Sequence, residues 1–411
     1  MKRREFLRTS VAALTAGSLA AAESKPNIIV ILADDVGYGD LSCYGATKVK
    51  TPNLDRIAKE GIRFTDAHSS SATCTPTRYS LMTGQYAWRK KGTGILPGDA
   101  ALIIDTNQTT IASTLKKAGY KTGAVGKWHL GLGAGNIDWN GEIKPGPREI
   151  GFDYSFLIPA TGDRVPCVYV ENGRVVGLDP KDPITVSYSK PVGNDPTGRE
   201  HPEMLKVKLS HGHDFTIVNG VSRIGYMTGG KKARWVDEDM ADTITRKAVS
   251  FIDQNKSGPF FLYFAPNDPH RGGQANWAPL KPNAFGNESP ASAPKGVVPV
   301  HYKPEEVIVP PFLPDTPACR AELAQFYESI SRVDSGVGRL VEILKAAGKW
   351  DDTLIIYITD NGVPFPGAKT TVYEPGLKLP CIVHNPAAKK RGVVNEAFVS
   401  WVDIAPTILD F

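Results

Sequence analysis

The sequence has few cysteines and little net charge, and both shortages limit the class of protein it can encode. Its 411 residues include five cysteines, namely Cys43, Cys74, Cys167, Cys319 and Cys381. An odd number at wide spacing is not the framework of a small disulfide-rich protein, so at least one is a free thiol. The net charge of +5 does not predict a nucleic-acid-binding surface, although local basic patches could bind anionic substrates.

The N-terminus lacks an apolar run long enough to cross a membrane. Arg3 and Arg4 precede the mildly apolar stretch Val11–Ala22, which is too short and too weak for a membrane span. Paired arginines before such a stretch are typical of a twin-arginine export signal, with an ordinary secretory signal as the alternative. We therefore expect residues 1–22 to be a cleaved signal peptide and residues 23–411 to form a domain that acts in the periplasm or outside the cell.

Composition and apolar pattern together predict a large α/β domain. A hydrophobic fraction of 41% and a charged fraction of 22% are typical of a globular chain with a sizeable core. Continuous apolar runs, which indicate strands buried on both faces, lie at 27–33, 260–265 and 353–359. Segments with helical spacing lie at 53–60, 110–118, 237–254 and 320–347. This alternation predicts a mostly parallel, doubly wound sheet between two layers of helices.

Polar residues follow the predicted strands. Asp34 and Asp35 come after the first run, His270 follows the second, and Asp360 and Asn361 come after the last. Sites in doubly wound sheets form at the carboxyl ends of strands, so these side chains are expected to share one edge. Clustered carboxylate and amide oxygens suit Ca²⁺, and less well Mg²⁺. A single Asp-Asp pair is more often a solvated turn, but two pairs that each end a buried strand favour a metal site.

A second candidate centre is the stretch CTPTRYSLMTG, which begins at Cys74. Pro76 suits the first position of a helix and Gly84 its C-terminal stop, so Cys74 is expected at a helix N-terminus with Arg78 one turn inside. The N–H groups of a helix N-terminus favour an anion, and a guanidinium matches the oxygens of a tetrahedral oxyanion. A lone cysteine is more often structural, so this centre depends on the other candidate residues.

A third candidate segment is GYKTGAVGKWHLG, which places Lys127 and His129 just after a predicted strand. Side chains two residues apart point the same way if the chain stays extended. Lys127 could then neutralise an anion and His129 could transfer a proton. Taken alone, the two residues are more often a surface charge and a satisfied polar side chain.

Together these segments resemble the type I sulfatases of the alkaline phosphatase superfamily. CTPTRYSLMTG has the C-x-P-x-R-x4-T-G pattern in which the cysteine is oxidised to formylglycine, with Thr77 where serine is usual. GYKTGAVGKWHLG is similar to the second sulfatase signature, and LADDVGYGDLSCYG and ITDNG are similar to calcium-ligand segments. The resemblance extends from about Pro26 to the end of the chain, and four separated motifs in the expected order make it specific.

The resemblance implies an alkaline-phosphatase-like fold and hydrolysis of sulfate esters on carbohydrates. The implied ligands of Ca²⁺ are Asp34, Asp35, Cys74 after oxidation by a formylglycine-generating enzyme, Asp360 and Asn361. Arg78 would hold the formylglycine hydrate and the metal site. The residues around the sulfate would be Lys127, His129, His270 and Lys369, with Arg271 as a further cation on the substrate side. We expect His270 to be the general acid for the leaving group and His129 the base for the hydrate.

The resemblance differs along the chain. Residues 27–265 are similar to arylsulfatase-type enzymes, whereas the part from Asp268 onward is similar to heparan N-sulfatase, a sulfamidase. Such sulfatases usually continue into a smaller C-terminal lobe, which we expect to be missing because the sequence stops at Phe411. The alternatives are a sulfamidase acting on N-sulfate, a phosphonate or phosphodiester hydrolase of the same superfamily, and a non-catalytic protein that binds sulfated glycans.

Overall fold

The computed structural model describes residues 25–206, 212–270 and 300–411. The predicted signal peptide at 1–22 and the predicted substrate contact Arg271 lie outside these residues. The strands are β1 Asn27–Ala33, β2 Ile62–His68, β3 Lys121–Lys127, β4 Tyr154–Ile158, β5 Val170–Glu171, β6 Arg174–Val175, β7 Thr185–Ser187, β8 Ile217–Val218, β9 Val221–Ser222, β10 Tyr226–Thr228, β11 Phe260–Ala265, β12 Thr353–Thr359, β13 Cys381–His384 and β14 Val393–Ser400. The helices are α1 Pro52–Glu60, α2 Cys74–Thr83, α3 Ile111–Lys117, α4 Met240–Asn255, α5 Pro317–Ala346, α6 Glu374–Leu377 and α7 Ile404–Asp410.

A ten-stranded sheet forms the centre of the molecule, in the order β14-β2-β13-β12-β1-β11-β3-β4-β5-β6. Its five middle strands, β12 to β4 in that order, are parallel to one another. Antiparallel pairs flank them on both sides. Strands β1, β11 and β12 are buried along their whole length and have the predicted bounds. The predicted α/β architecture with a mostly parallel sheet is thereby confirmed.

Helices cover both faces of the sheet. On one face α5 packs against α1 and α4, and α4 contacts β3 and β11. On the other face α2, α3 and α7 pack against one another. These layers bury the apolar sides of the strands from both directions, as their continuous apolar runs require. Among the described residues, every helix is too short or too polar to cross a lipid bilayer.

Helix α2 begins earlier than predicted. Thr73 is its N-cap residue in an extended conformation, and Cys74 is the first helical residue, so the predicted start at Pro76 is wrong. The N–H groups of a whole first turn lack partners within the helix, and proline therefore fits the third position as well as the first. The predicted stop is confirmed, since Gly84 is left-handed with φ of 64° and donates its N–H to the Ser80 carbonyl.

Candidate active site

Two neighbouring strands bring the predicted metal ligands together. β1 and β12 are parallel partners, so the residues that follow them lie at the same edge of the sheet. The Asp360 N–H donates to the Ala33 carbonyl at 3.1 Å, and the Asp35 N–H donates to Asp360 Oδ1 at 3.2 Å. Asp35 adopts a left-handed φ of 66°, which is unusual outside glycine and is tolerated best by Asp and Asn. The chain thus turns sharply at Asp35 and places adjacent carboxylates in one site.

The thiol of Cys74 lies among these carboxylates. One ligand atom each from Asp34, Asp35, Cys74 and Asp360 lies within 4.8 Å of the others, and all four residues are buried. Cys74 Sγ is 3.8 Å from Asp34 Oδ1 and 3.5 Å from Asn361 Oδ1. All five predicted metal ligands are therefore brought together at the N-terminus of α2. Burial raises the pKa of the Cys74 thiol to about 11, although Lys127 and Lys369 act in the opposite direction.

The donor set fits a hard divalent cation. It consists of three carboxylates, one amide oxygen and the Cys74 position, and oxygen ligands of this kind are those that Ca²⁺ prefers. Asp35 Oδ2 is buried and has no hydrogen-bond partner among the described residues. An unsatisfied carboxylate oxygen is costly to bury unless a cation compensates it. Burial, together with the charges of Asp360 and Asp35, also raises the pKa of Asp34 well above its usual range.

Arg78 pairs with the carboxylate of Asp360 in the predicted metal site. Its Nε and Nη2 donate to Asp360 Oδ2 at 3.1 and 2.8 Å, while Nη1 donates to the Lys127 carbonyl and the Tyr263 hydroxyl at 2.9 and 3.1 Å. Burial alone would raise the pKa of Asp360, but the charges of Arg78 and Lys127 outweigh it and lower that pKa. Arg78 thus contacts Asp360 of the predicted metal site and the backbone of the strand that carries Lys127. Its contact with a formylglycine hydrate stays a prediction.

Two lysines complete the charge balance of the cluster. Lys127 Nζ donates to Asp34 Oδ2, and Lys369 Nζ donates to Asp35 Oδ1 at 2.6 Å. Burial opposes the charge on Lys369, but Asp35 and the other carboxylates outweigh it and raise its pKa well above the usual value. Three cationic side chains therefore accompany three carboxylates. A divalent cation added to this set would give the site an excess of positive charge, which suits an anionic substrate.

The two predicted histidines lie beside the carboxylate cluster and follow different strands, His129 after β3 and His270 after β11. His129 has a left-handed φ of 53°, so the expectation of an extended chain from Lys127 to His129 is wrong, yet both side chains are buried at the site. His129 Nε2 lies 2.9 Å from the Leu96 carbonyl, and its buried Nδ1 has no hydrogen-bond partner among the described residues. Because a carbonyl only accepts, Nε2 carries the proton and Nδ1 is left as a proton acceptor. Burial and the charge of Lys127 lower the pKa of His129 well below its usual value, which keeps the ring neutral.

His270 reaches the same centre from the end of β11. It is buried, and a ring nitrogen lies within 4.8 Å of ligand atoms of Asp34 and Cys74. The backbone N–H of His270 donates to the Asn267 carbonyl at 2.9 Å, and this bond fixes the turn that carries the side chain. Burial and the charges of Lys369 and Lys127 lower its pKa well below the usual value.

A pocket of about 240 Å³ opens onto these groups. It is lined by Asp35, Cys74, Ile95, His129, Asp163, Arg164, His213, His270, Pro364 and Lys369. Three polar residues of this lining, Asp163, Arg164 and His213, were missed by the sequence reasoning. Asp163 and Arg164 follow β4, which belongs to the same sheet, so the rule that sites form at strand ends could have found them.

Comparisons with known proteins agree with this geometry. A family model named Sulfatase matches residues 26–411. The chain is 46% identical over 402 residues to an N-acetylgalactosamine-6-O-sulfatase from Bacteroides thetaiotaomicron, covering 92% of this chain and 71% of that protein. It is 30% identical over 390 residues to the human N-sulphoglucosamine sulphohydrolase, covering 94% of this chain but only 60% of the relative. Both halves of the chain thus align with single relatives, which are longer than the chain.

A solved structure gives the same result in three dimensions. It belongs to a study of how Bacteroides thetaiotaomicron metabolises multiple glycosaminoglycans, and it superposes with a TM-score of 0.81 at 45% identity. The match covers 94% of this chain and 77% of that one. Family model, relatives and fold agree over nearly the whole length, and the chain therefore belongs to the sulfatase family of enzymes.

Proposed function

We propose that this protein hydrolyses sulfate esters on sulfated carbohydrates, using a nucleophile made from Cys74. The observation that carries the proposal is the position of the Cys74 side chain, within 3.5 Å of Asn361 Oδ1 and 3.8 Å of Asp34 Oδ1. Lys127 Nζ donates to Asp34, and Lys369 Nζ donates to the neighbouring Asp35. A side chain in this position faces both a cation site and a pocket with fixed positive charge, as attack on an anionic ester requires.

The proposed metal is Ca²⁺, with Mg²⁺ as the less suitable ion. It would be held by Asp34, Asp35, Asp360, Asn361 and the oxidised Cys74 side chain. Bound there, the cation would supply positive charge next to the oxygens of the nucleophile and of the sulfate. Arg78 keeps Asp360 ionised and oriented, and Lys127 orients Asp34 through a buried ion pair.

The proposed nucleophile requires oxidation of Cys74 to formylglycine by a separate maturation enzyme. The hydrate of that aldehyde has one hydroxyl that can attack sulfur and a second that lets the side chain release sulfate by returning to the aldehyde, which a thiol or serine could not do. His129 Nδ1 is the proposed base, because the hydrogen bond of Nε2 to Leu96 leaves Nδ1 able to accept a proton. His270 is the proposed acid for the departing alcohol, and Lys127 and Lys369 would neutralise the sulfate oxygens. The charge of a bound sulfate would in turn oppose the lysine charges that lower the pKa of His270 in the free site.

The first substrate to test is a 6-O-sulfated N-acetylgalactosamine, because the relative that shares 46% identity is named as a sulfatase of that sugar. The 30% identity to the human N-sulphoglucosamine sulphohydrolase makes N-sulfoglucosamine the second candidate. We further propose that the protein acts after export, as its N-terminal sequence predicts, with Arg271 as an additional substrate contact.

The experiment is to measure inorganic sulfate released by protein that has been co-expressed with a formylglycine-generating enzyme. We expect release from the 6-O-sulfated sugar and none by the Cys74→Ala variant. Release from N-sulfoglucosamine alone would replace the first substrate by the second. Hydrolysis of a phosphodiester chromogen without release of sulfate would indicate a phosphodiesterase, and binding of sulfated sugars without turnover would indicate a non-catalytic glycan-binding protein.

A further inference from the structure

The geometry points to Arg164 as the residue that binds the hydroxyl groups of the sugar ring carrying the scissile sulfate, with Asp163 and His213 holding it in place. This inference rests on the proposed function for the identity of the ligand. Asp163, Arg164 and His213 form one wall of the 240 Å³ pocket. The rest of the lining includes Asp35 and Cys74 of the predicted metal site and the histidines His129 and His270.

Arg164 uses only part of its guanidinium for contacts within the protein. Nη1 donates to Asp163 Oδ1 at 3.0 Å and to Thr161 Oγ1 at 2.7 Å. In the parts of the chain that the structure describes, these two are the hydrogen bonds of its side chain. The donors on Nε and Nη2 are therefore left for a ligand, and the partly exposed side chain lines the pocket that contains Cys74.

The carboxylate that holds Arg164 is itself fixed on several sides. Asp163 is buried and accepts from the Thr161 hydroxyl and from His213 Nε2, the latter at 2.9 Å. Burial alone would raise the pKa of Asp163, but Arg164 and His213 outweigh it and lower that pKa well below its usual value. The lowered pKa favours the ionised form of Asp163, and Arg164 can rotate away only by giving up its ion pair with this buried carboxylate.

The backbone of this wall is equally well anchored. The Ile224 N–H donates to the Asp163 carbonyl at 2.8 Å, and the Val165 N–H donates to the Ile224 carbonyl at 3.1 Å. Arg223 Nη1 donates to the Gly162 carbonyl at 2.5 Å, and the Gly162 N–H donates to Asn267 Oδ1 at 3.3 Å. These bonds connect the wall to the segment that carries His270. A binding residue on such a rigid support needs little ordering when a ligand arrives.

Charge balance favours hydroxyl groups over a second anion as the ligand of this wall. Arg164 and Asp163 form an ion pair with little net charge, whereas Lys127 and Lys369 supply positive charge beside Cys74. An anion on the wall would compete with Asp163 for the same guanidinium. Neutral hydroxyls can accept from the remaining N–H groups without that competition. The pocket holds the volume of roughly eight waters, which suits one sulfated ring rather than a longer oligosaccharide.

The test compares two substrates that share the sulfate and differ in the sugar. Values of kcat/KM are measured for N-acetylgalactosamine 6-sulfate and for 4-nitrophenyl sulfate, with matured wild type, Arg164→Ala and Arg164→Lys. We expect each variant to lower the ratio of sugar to aryl activity about 30-fold, since hydrogen bonds to a charged donor are lost in the sugar complex only. Lysine keeps the ion pair with Asp163 but lacks the second donor edge, so it guards against loss of activity through misfolding.

Arg199 provides a matched control. Arg199 is exposed and pairs with Asp214 at 2.7 Å, next to His213, but does not line the pocket. Arg199→Ala is expected to leave the ratio of sugar to aryl activity unchanged. An equal loss on both substrates in the Arg164 variants would overturn the inference, because it would place Arg164 on the sulfate itself.

A binding measurement separates this inference from the proposed function. Calorimetric titration with N-acetylgalactosamine 6-sulfate and with inorganic sulfate needs no turnover. We expect Arg164→Ala to weaken binding of the sugar sulfate about 30-fold more than binding of inorganic sulfate. That result with an inactive wild type would reject the proposed activity and support the inference. Equal weakening, or none, would overturn the inference whether or not the protein is active.

Discussion

At the scale of single residues, the site depends on side chains whose hydrogen bonds leave one atom unused. His129 Nε2 is tied to the Leu96 carbonyl at 2.9 Å, so its Nδ1 remains an acceptor. Asp35 Oδ1 accepts from Asn361 and Lys369, both at 2.6 Å, while Oδ2 has no partner in the described chain. Each residue is thereby held in place by one atom, and its other atom is available for the proposed role as a base or as a cation ligand.

The proposed role of His270 as general acid makes a prediction about leaving groups. In the His270→Ala variant, kcat should fall by about 10²- to 10⁴-fold for aryl sulfates with poor leaving groups and much less for activated ones. A plot of log kcat against the pKa of the released phenol should therefore become steeper. The series contains no sugar, so it does not depend on Arg164. A parallel fall for every leaving group would contradict the acid role.

Much of the site could be predicted from single residues in the sequence, because strand ends in a parallel sheet meet at one edge. Asp34, Asp35, Asp360 and Asn361 are brought together on that basis, whereas Cys74 joins them from the N-terminus of α2 and was assigned to this site only by the family resemblance. The backbone conformation of His129 could not be predicted, because its left-handed φ accompanies long-range contacts with Leu96 and with the end of β4. His213 could not be predicted either, because its partner Asp163 lies 50 residues away in the sequence.

At the scale of elements, the position of Lys127 depends on how closely β3 approaches β11. Gly126 has φ of 112°, and a Cβ there would lie 1.9 Å from the Ala265 carbonyl oxygen. We expect Gly126→Ala to lower the free energy of unfolding by about 3 kcal/mol, because the strands must separate or the backbone must take a strained conformation. Urea denaturation measures this change.

A control for that prediction is Gly258→Ala, just before β11. Nothing lies within 4 Å of a Cβ built there, so its effect on stability should stay within about 0.5 kcal/mol. Equal stability of the two variants would show that the contact between β3 and β11 can relax without cost, and that Gly126 does not fix the position of Lys127.

The elements themselves differed in how well the sequence predicted them. β1, β11 and β12 have the predicted bounds because continuous apolar runs are cut off sharply by polar residues. α5 begins at Pro317, three residues before the predicted start, with the Thr316 hydroxyl accepting from the Cys319 N–H. Such caps are made of polar residues that periodicity does not mark, so helix ends were less predictable than strand ends.

At the scale of the whole molecule, the predicted metal site affects the stability of the fold. Three carboxylates are buried there, and one of their oxygens has no hydrogen-bond partner among the described residues, so a bound cation would stabilise the folded state. A cation that binds only the folded state should raise stability, by about 2.7 kcal/mol at a free concentration 100 times its Kd. We expect chelation to lower the melting temperature, and Ca²⁺ to restore it at lower concentration than Mg²⁺. An unchanged melting temperature, in wild type and in the Asp360→Asn variant alike, would argue against a cation at this site.

Cys74 is the proposed precursor of the nucleophile, and the mass of the peptide that contains it shows whether the thiol has been oxidised. The peptide is isolated from protein co-expressed with a formylglycine-generating enzyme, and a Pro76→Ala, Arg78→Ala variant serves as a control that disrupts the motif. We expect the wild-type peptide to have the mass of an aldehyde side chain and the control to keep the mass of cysteine. A wild-type peptide that retains the full thiol mass would contradict this proposal.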